Sequence, residues 1–369
     1  MRLISCSKIT DGVVLARDIV VGPPGTAPLL RTGVTLSERY RTALPKAGIG
    51  SVWIEDEISE GIVVVEPLRP ETRERVYRAT GEALAAAGSA LRDGSGMSRA
   101  VMESLTGVAE GMVTDLLACP DAAVALDDLS AFDSYTHRHS VQVTVLGLLI
   151  ARRMWQRDGW VDFRGKVRRD RLEERLRKLG LGLLVHDVGK LAVPPEVLNK
   201  PGRLTDDEMT VMRAHPQDGV ELLRPADISP LAVSIVRDHH ERLDGLGYPT
   251  GIDGPKLGEF PRIAAVADVY DAVTSERVYK AAAPPHVGVR VINEGSGTQF
   301  CPVVVSHFRT VVFPYPVGHE ITLPDGRVGV VAGIDAAHPE RPRVRVEQGG
   351  SVDEIAVDMG AGAAESAAA

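Results

Sequence analysis

Aromatic residues make up only 4% of this 369-residue chain, and its formal net charge is -8. A surface that stacks bases on aromatic rings is therefore not expected, nor is a general electrostatic hold on DNA or RNA. There are three cysteines, Cys6, Cys119 and Cys301, and none falls in a CxxC or zinc-knuckle spacing. They read as thiols in a reducing compartment rather than as a disulfide framework. No apolar run reaches the ~18 residues needed to cross a bilayer. The first residues, Met1-Arg-Leu-Ile-Ser-Cys6, are not followed by an apolar core and small-residue cleavage site. The expectation is a cytoplasmic protein with no membrane span and no nucleic-acid polymer as partner.

What is present is a globular composition, 44% hydrophobic and 25% charged, in a chain long enough for one main domain with smaller modules. Residues 1–67 alternate β-prone runs (13–15, 19–21, 52–54 and 62–65) with turn signals such as Asp11-Gly12, and a short helix is expected from Ser37 to Leu44. They read as a small α+β N-terminal module, regulatory or docking in role. Residues 68–129 turn helical and read as a connector. Residues 130–312 carry the chemistry-bearing side chains on successive helices, residues 313–359 return to a small β-rich C-terminal extension, and 360–369 form a small-residue tail expected to be disordered. The fold class expected is mainly α.

The organising stretch is Leu181-Gly-Leu-Leu-Val-His-Asp-Val-Gly-Lys-Leu191, an apolar run with His186, Asp187 and Lys190 in its middle. Read as a helix, it places His186 and Lys190 at i,i+4 and Asp187 and Lys190 at i,i+3. Charged groups on a buried element are costly unless paired or coordinating a metal. A core histidine beside an Asp–Lys ion pair is the bland alternative for this stretch alone. Upstream, His137 and His139 enter a hydrophobic helix, and His139 lies nearer its apolar part. The basic stretch 152–178 has acids mixed through it and reads as a solvated face. Downstream, Thr205-Asp-Asp-Glu208 is a capping-box pattern that opens a helix with His215 near its end. A helix over 230–241 ends in His239-His240-Glu241, a glycine-rich loop follows, and a helix over 262–275 carries Asp268 and Asp271 at i,i+3. The ordered set His139, His186, Asp187, His215, His239, His240 and Asp268 supplies five imidazoles and two carboxylates, suited to two divalent transition metals with Asp187 between them.

His186-Asp187-Val-Gly-Lys190, His239-His-Glu241, Gly247-Tyr-Pro249 and Ala267-Asp-Val-Tyr-Asp271 resemble the signature of the HD-GYP family, a branch of the HD phosphohydrolases. The resemblance runs from about residue 133 to 280. It implies an all-helical domain that hydrolyses cyclic di-GMP to linear pGpG and often onward to GMP. By position, it implies one metal on His139, His186, Asp187 and Asp268 and a second on Asp187, His215, His239 and His240, with iron or manganese as the metals. It puts Lys190 on the scissile phosphate, and Asp133, Asp271, Arg277 and Lys280 in contact with the dinucleotide. Tyr248 borders the pocket. Tyr135 stands where some members place a glutamate for a third metal, so two metals are expected. Cys301 stands where an aspartate is usual, outside the metal set. The protein partners considered are a second copy through the connector and a diguanylate cyclase at the Gly-Tyr-Pro loop. Two alternatives stay open: an HD phosphohydrolase acting on another nucleotide, and a non-catalytic cyclic di-GMP receptor or docking protein.

Overall fold

The computed structural model describes residues 1–20, 26–119, 135–162, 164–275 and 282–360, a mainly helical chain with a small sheet at each end. The N-terminal sheet has the antiparallel order β1-β3-β2, from Arg2–Ser5 (β1), Val14–Leu15 (β2) and Ser51–Glu55 (β3), with α1 (Tyr40–Lys46) beside it. Two of the four β-prone runs thus become strands. Ile19 makes only an isolated bridge to Leu30. Residues 62–65 alternate as a strand would, with Ile62 and Val64 buried and Val63 and Val65 exposed, but no neighbouring strand pairs with them. The helix expected from Ser37 begins at Tyr40.

Two long helices follow. Pro70 at the first position and Gly94 in the left-handed region (φ 64°) bracket α2 (Pro70–Asp93). Ser98 caps α3 (Arg99–Ala118), its side chain accepting from the Val101 N–H. The inward faces of these helices, with Val76, Ala87, Leu105 and Met112, share one hydrophobic core with the helices that come after. The stretch read as a connector is therefore part of the helical body, and its apolar faces are covered within the chain.

That body comprises α4 (Tyr135–Arg157), α5 (Leu172–Leu184), α6 (Pro195–Leu198), α7 (Asp206–Met212), α8 (His215–Leu223), α9 (Pro230–Asp238), α10 (Glu259–Thr274), α11 (Pro285–Glu294) and α12 (Pro302–Phe308). Leu146, Leu149, Leu179, Leu183, Ile235, Ile263 and Phe308 are fully buried at its centre, each contributing roughly 1.5–3 kcal/mol over an exposed position. α10 is apolar nearly all round from Ile263 to Tyr270, as a helix covered on every side must be. Asp268 and Asp271 are its buried exceptions.

Between α4 and α5 the strands β4 (Trp160–Val161) and β5 (Val167–Arg168) form a hairpin. Charges around it neutralise one another: Arg168 with Asp170 at 2.7 Å, Lys178 with Glu174 at 2.6 Å and Arg175 with Glu259 at 2.6 Å. The capping box at Thr205 is present, with Glu208 N–H donating to Thr205 Oγ1 at 3.3 Å and Thr205 N–H to Glu208 Oε2 at 2.7 Å. The C-terminal sheet has the order β6-β7-β8-β9, from Glu320–Thr322, Val328–Gly333, Arg343–Gln348 and Ser351–Ala356. It meets the N-terminal module: Leu3 N–H donates to Gly318 O at 2.9 Å, and Lys8 pairs with Glu320 at 2.6 Å. The two terminal modules, read from sequence as separate, adjoin. Among the described residues no helix is long and apolar enough to cross a membrane.

Candidate functional site

The helix expected across 181–191 stops at Leu184. His186 and Asp187 occupy the turn that follows, and Val188–Ala192 is a 3-10 segment. This break lets the backbone at Gly189 press against α8. A Cβ there would lie 1.9 Å from His215 O and 2.5 Å from Gly219 N, so only glycine fits. His215, expected near the end of the preceding helix, instead opens α8. His239 is the C-cap residue of α9, and α4 and α10 bring in His139 and Asp268.

Four imidazoles are oriented by the same device. Nδ1–H donates to Leu183 O in His186 (2.7 Å), to Met212 O in His215 (2.7 Å), to Ile235 O in His239 (3.0 Å), and to Asp271 Oδ2 in His139 (2.6 Å). Carbonyls and carboxylates only accept, so each ring has its Nε2 directed inward. These Nε2 atoms converge on Asp187. Its Oδ2 lies 3.3 Å from His139 Nε2 and 3.4 Å from His186 Nε2, while its Oδ1 lies 3.5 Å from His215 Nε2 and 3.6 Å from His239 Nε2. One carboxylate thus faces two histidine pairs, one with each oxygen. Asp268 stands 3.2 Å from His139 Nε2 and 3.8 Å from His240.

Potential ligand atoms fall into two groups, Asp187 with His215, His239 and His240, and His139 with His186 and Asp268, each lying within 4.8 Å of one another. The fit to metal ions is tested by what the protein leaves unsatisfied. His186 Nε2, His240 Nε2 and Asp187 Oδ1 are buried with no hydrogen-bond partner. Orphans of this kind are costly unless something else binds them, and a mixed imidazole and carboxylate set is suited to iron, manganese or zinc.

Electrostatics point the same way. Burial pushes the pKa of His186 down to about 4 and that of His215 to about 3, and burial likewise holds His240 well below the ordinary value. Their lone pairs are therefore free at neutral pH. Burial opposes charge on Asp187 and Asp268 too, but Lys190 and the histidines outweigh it for Asp187, and His139 does so for Asp268. Both stay ionised, far below the usual carboxylate range. His139 is the exception among the rings. Burial disfavours its charged form, yet Asp187, Asp268 and Asp271 together raise its pKa well above the ordinary value.

Lys190 Nζ sits 2.5 Å from Asp187 Oδ2 with its side chain 23% exposed, between the cluster and solvent. Tyr248 stacks on His240, with ring centroids 4.6 Å apart and 23° between planes. Asp271, expected among the dinucleotide contacts, is fully buried, and its oxygens are taken by His139 Nδ1 and by Ser275 Oγ at 2.9 Å. In this arrangement Asp271 orients His139. Asp133, Arg277 and Lys280 lie outside the described residues, as does the side chain of His137.

The residue passed over in the sequence is Glu241. Its buried carboxylate accepts from Thr250 N–H (2.8 Å), Thr250 Oγ1 (2.9 Å), Gly251 N–H (3.1 Å) and Ile252 N–H (3.1 Å). It fastens the glycine-rich loop that presents Tyr248. An acid next to paired histidines and ahead of a loop rich in free N–H groups was the available signal. An open cavity of about 650 Å³ lies at the hairpin, lined by Trp160, Arg168, Arg171 and Glu259. It contains none of the clustered ligands.

The HD domain family matches residues 167–304. That segment of the chain is similar to HD domains. Its relatives include the cyclic di-GMP phosphodiesterase PA4108 of Pseudomonas aeruginosa, 40% identical over 228 residues, which cover 62% of this chain and 51% of that protein. The cyclic di-GMP phosphodiesterase response regulator RpfG of Xanthomonas campestris is 48% identical over 112 residues, 30% of each chain. The 3'3'-cGAMP-specific phosphodiesterase 3 of Vibrio cholerae is 33% identical over 174 residues, 47% of this chain and 35% of that one. The chain thus spans about half the length of the first and about a third of the other two. The HD-GYP resemblance read from the motifs agrees with the HD match and with these relatives.

Proposed function

We propose that this HD domain is a metal-dependent phosphodiesterase that opens cyclic di-GMP to linear pGpG, acting in the cytoplasm. The observation that carries the proposal is the Asp187 carboxylate, each of whose oxygens faces its own pair of histidine Nε2 atoms. His139, His186 and Asp268 would hold one ion and His215, His239 and His240 the other, with Asp187 shared and iron or manganese as the metals. Divalent ions held there would supply a water of lowered pKa and neutralise phosphodiester oxygens. The chain's own part is to fix that site and bind the substrate. Lys190 is placed to take charge developing on the phosphoryl oxygens. Tyr248 offers a ring at the rim, and Asp133, Arg277 and Lys280 would hold the dinucleotide.

For a protein partner, Leu246 at the tip of the Gly-Tyr-Pro loop is 78% exposed and apolar, which supports docking of a diguanylate cyclase there. A homodimer through α2 and α3 has no such support, since their apolar faces are covered within the chain. The relative specific for 3'3'-cGAMP favours a second reading in which the substrate is the mixed dinucleotide.

The experiment is turnover of both cyclic dinucleotides by anaerobically purified protein, with metals counted on the same sample and on Asp187→Ala. Two metals per chain, pGpG or GMP as product, and loss of both ions in the variant are expected. Two metals without turnover of either substrate would replace the enzyme by a receptor.

A further inference from the structure

We infer that Arg213, held by Tyr248, is the seat for the phosphodiester of the cyclic dinucleotide that is not being cleaved. This rests on the proposed reading of the site and extends it to a residue that the sequence motifs did not assign.

Arg213 lies in the turn between α7 and α8, two residues before His215. Its guanidinium carbon sits 5.4 Å from the centre of the Tyr248 ring, which stacks on His240 at 4.6 Å. The Tyr248 N–H is itself tied to His240 O at 3.2 Å. One aromatic ring therefore connects this cation to a candidate metal ligand, which places Arg213 at the edge of the cluster.

A cation over a ring face is positioned without spending its N–H donors. Among the described residues no hydrogen bond or ion pair engages the Arg213 guanidinium, and the residue is exposed. Arginines in the adjoining segments are already committed: Arg237 to Asp238, Arg242 to Asp244 and Arg262 to Gly254 O. Lys190 is held by Asp187. Arg213 thus stands over the Tyr248 ring with its donor edge free beside a site for anions.

The ligand chemistry follows. A cyclic dinucleotide carries two phosphodiesters, each with one negative charge. The ligand cluster and Lys190 engage the one under attack. The other brings a charge of its own to the rim, and a planar guanidinium fork matches two phosphate oxygens at once, which an ammonium does not.

The test uses the full chain, with Arg213→Ala and Arg213→Lys compared to wild type. Binding of cyclic di-GMP to metal-free protein is measured by calorimetry. KM and kcat of metal-loaded protein are measured for cyclic di-GMP and for bis(p-nitrophenyl) phosphate, which has a single phosphodiester. Losing charge-assisted hydrogen bonds predicts Kd and KM for cyclic di-GMP about 10- to 100-fold higher in Arg213→Ala. Arg213→Lys recovers only part of the loss, and kcat/KM for the single diester falls about twofold at most. Equal losses on both substrates, or an unmoved Kd and KM, would overturn the assignment. A wild-type protein that binds cyclic di-GMP without cleaving it would sink the proposed enzyme, while the Kd comparison would still decide Arg213. Absence of any binding by wild type would end both.

Discussion

Gly189→Ala is a small change with a large expected consequence. The added methyl would lie 1.9 Å from His215 O and 2.5 Å from Gly219 N, both backbone atoms that cannot rotate away. The first contact is ~1.5 Å short of an ordinary van der Waals separation. The Val188–Ala192 segment must therefore lift off α8, and Asp187 and Lys190 move with it, away from His215. Two terms compete. Reducing the freedom of the unfolded chain favours alanine by about 0.4–1 kcal/mol, whereas overpacking costs about 1–3 kcal/mol, so a net loss is expected. The functional cost is larger, because misplacing reacting groups by ~1 Å can cost on the order of 100-fold in rate. The assays are thermal unfolding, metal content and phosphodiesterase rate. Gly107→Ala is the comparator, since it lies within α3 with nothing within 4 Å of the new Cβ. It should gain up to ~1 kcal/mol and leave activity intact. If Gly189→Ala matched wild type in melting temperature, metal content and rate, the steric argument would be wrong.

Three other outcomes are expected. Glu241→Ala removes the acceptor for four donors of the Thr250–Ile252 segment, and should cost about 2–4 kcal/mol. Faster proteolysis within residues 243–254 would accompany it, and an unchanged cleavage pattern would count against the anchoring role. Asp271→Asn weakens the orientation of His139 and should lower metal affinity about 10- to 100-fold, read by competition with a chelator. Equal affinity would return Asp271 to a role outside the cluster. Lys190→Ala should reduce kcat about 100-fold or more with metal content kept. Loss of metal in that variant would make the lysine a structural partner of Asp187 instead.

Much of the site was legible because its chemistry is expensive to place anywhere else. Five histidines and two aspartates embedded in apolar helices have few tolerable explanations, and the structure gathers all seven. A helix start was legible where a local rule controls it, as at Thr205. The end of α5 was not, because a buried apolar run looks the same as helix or as turn until its neighbour is known. The partner of Asp271 was not legible for a related reason: spacing put it on the face of Asp268, but only the packing of α4 on α10 supplied the imidazole that meets its carboxylate.

By itself the sequence determined the helical class, the inventory of histidines and aspartates that cluster, and the turn and capping points set by residues within a few positions of one another. Those are local properties, decided by side-chain type and by the short-range geometry of the backbone. Tertiary structure alone decided that residues 70–118 belong to the core, that the two terminal modules meet, that Glu241 ties down the loop, and that Arg213 stands over Tyr248. Each depends on groups far apart in the chain reaching contact distance, which no local pattern encodes.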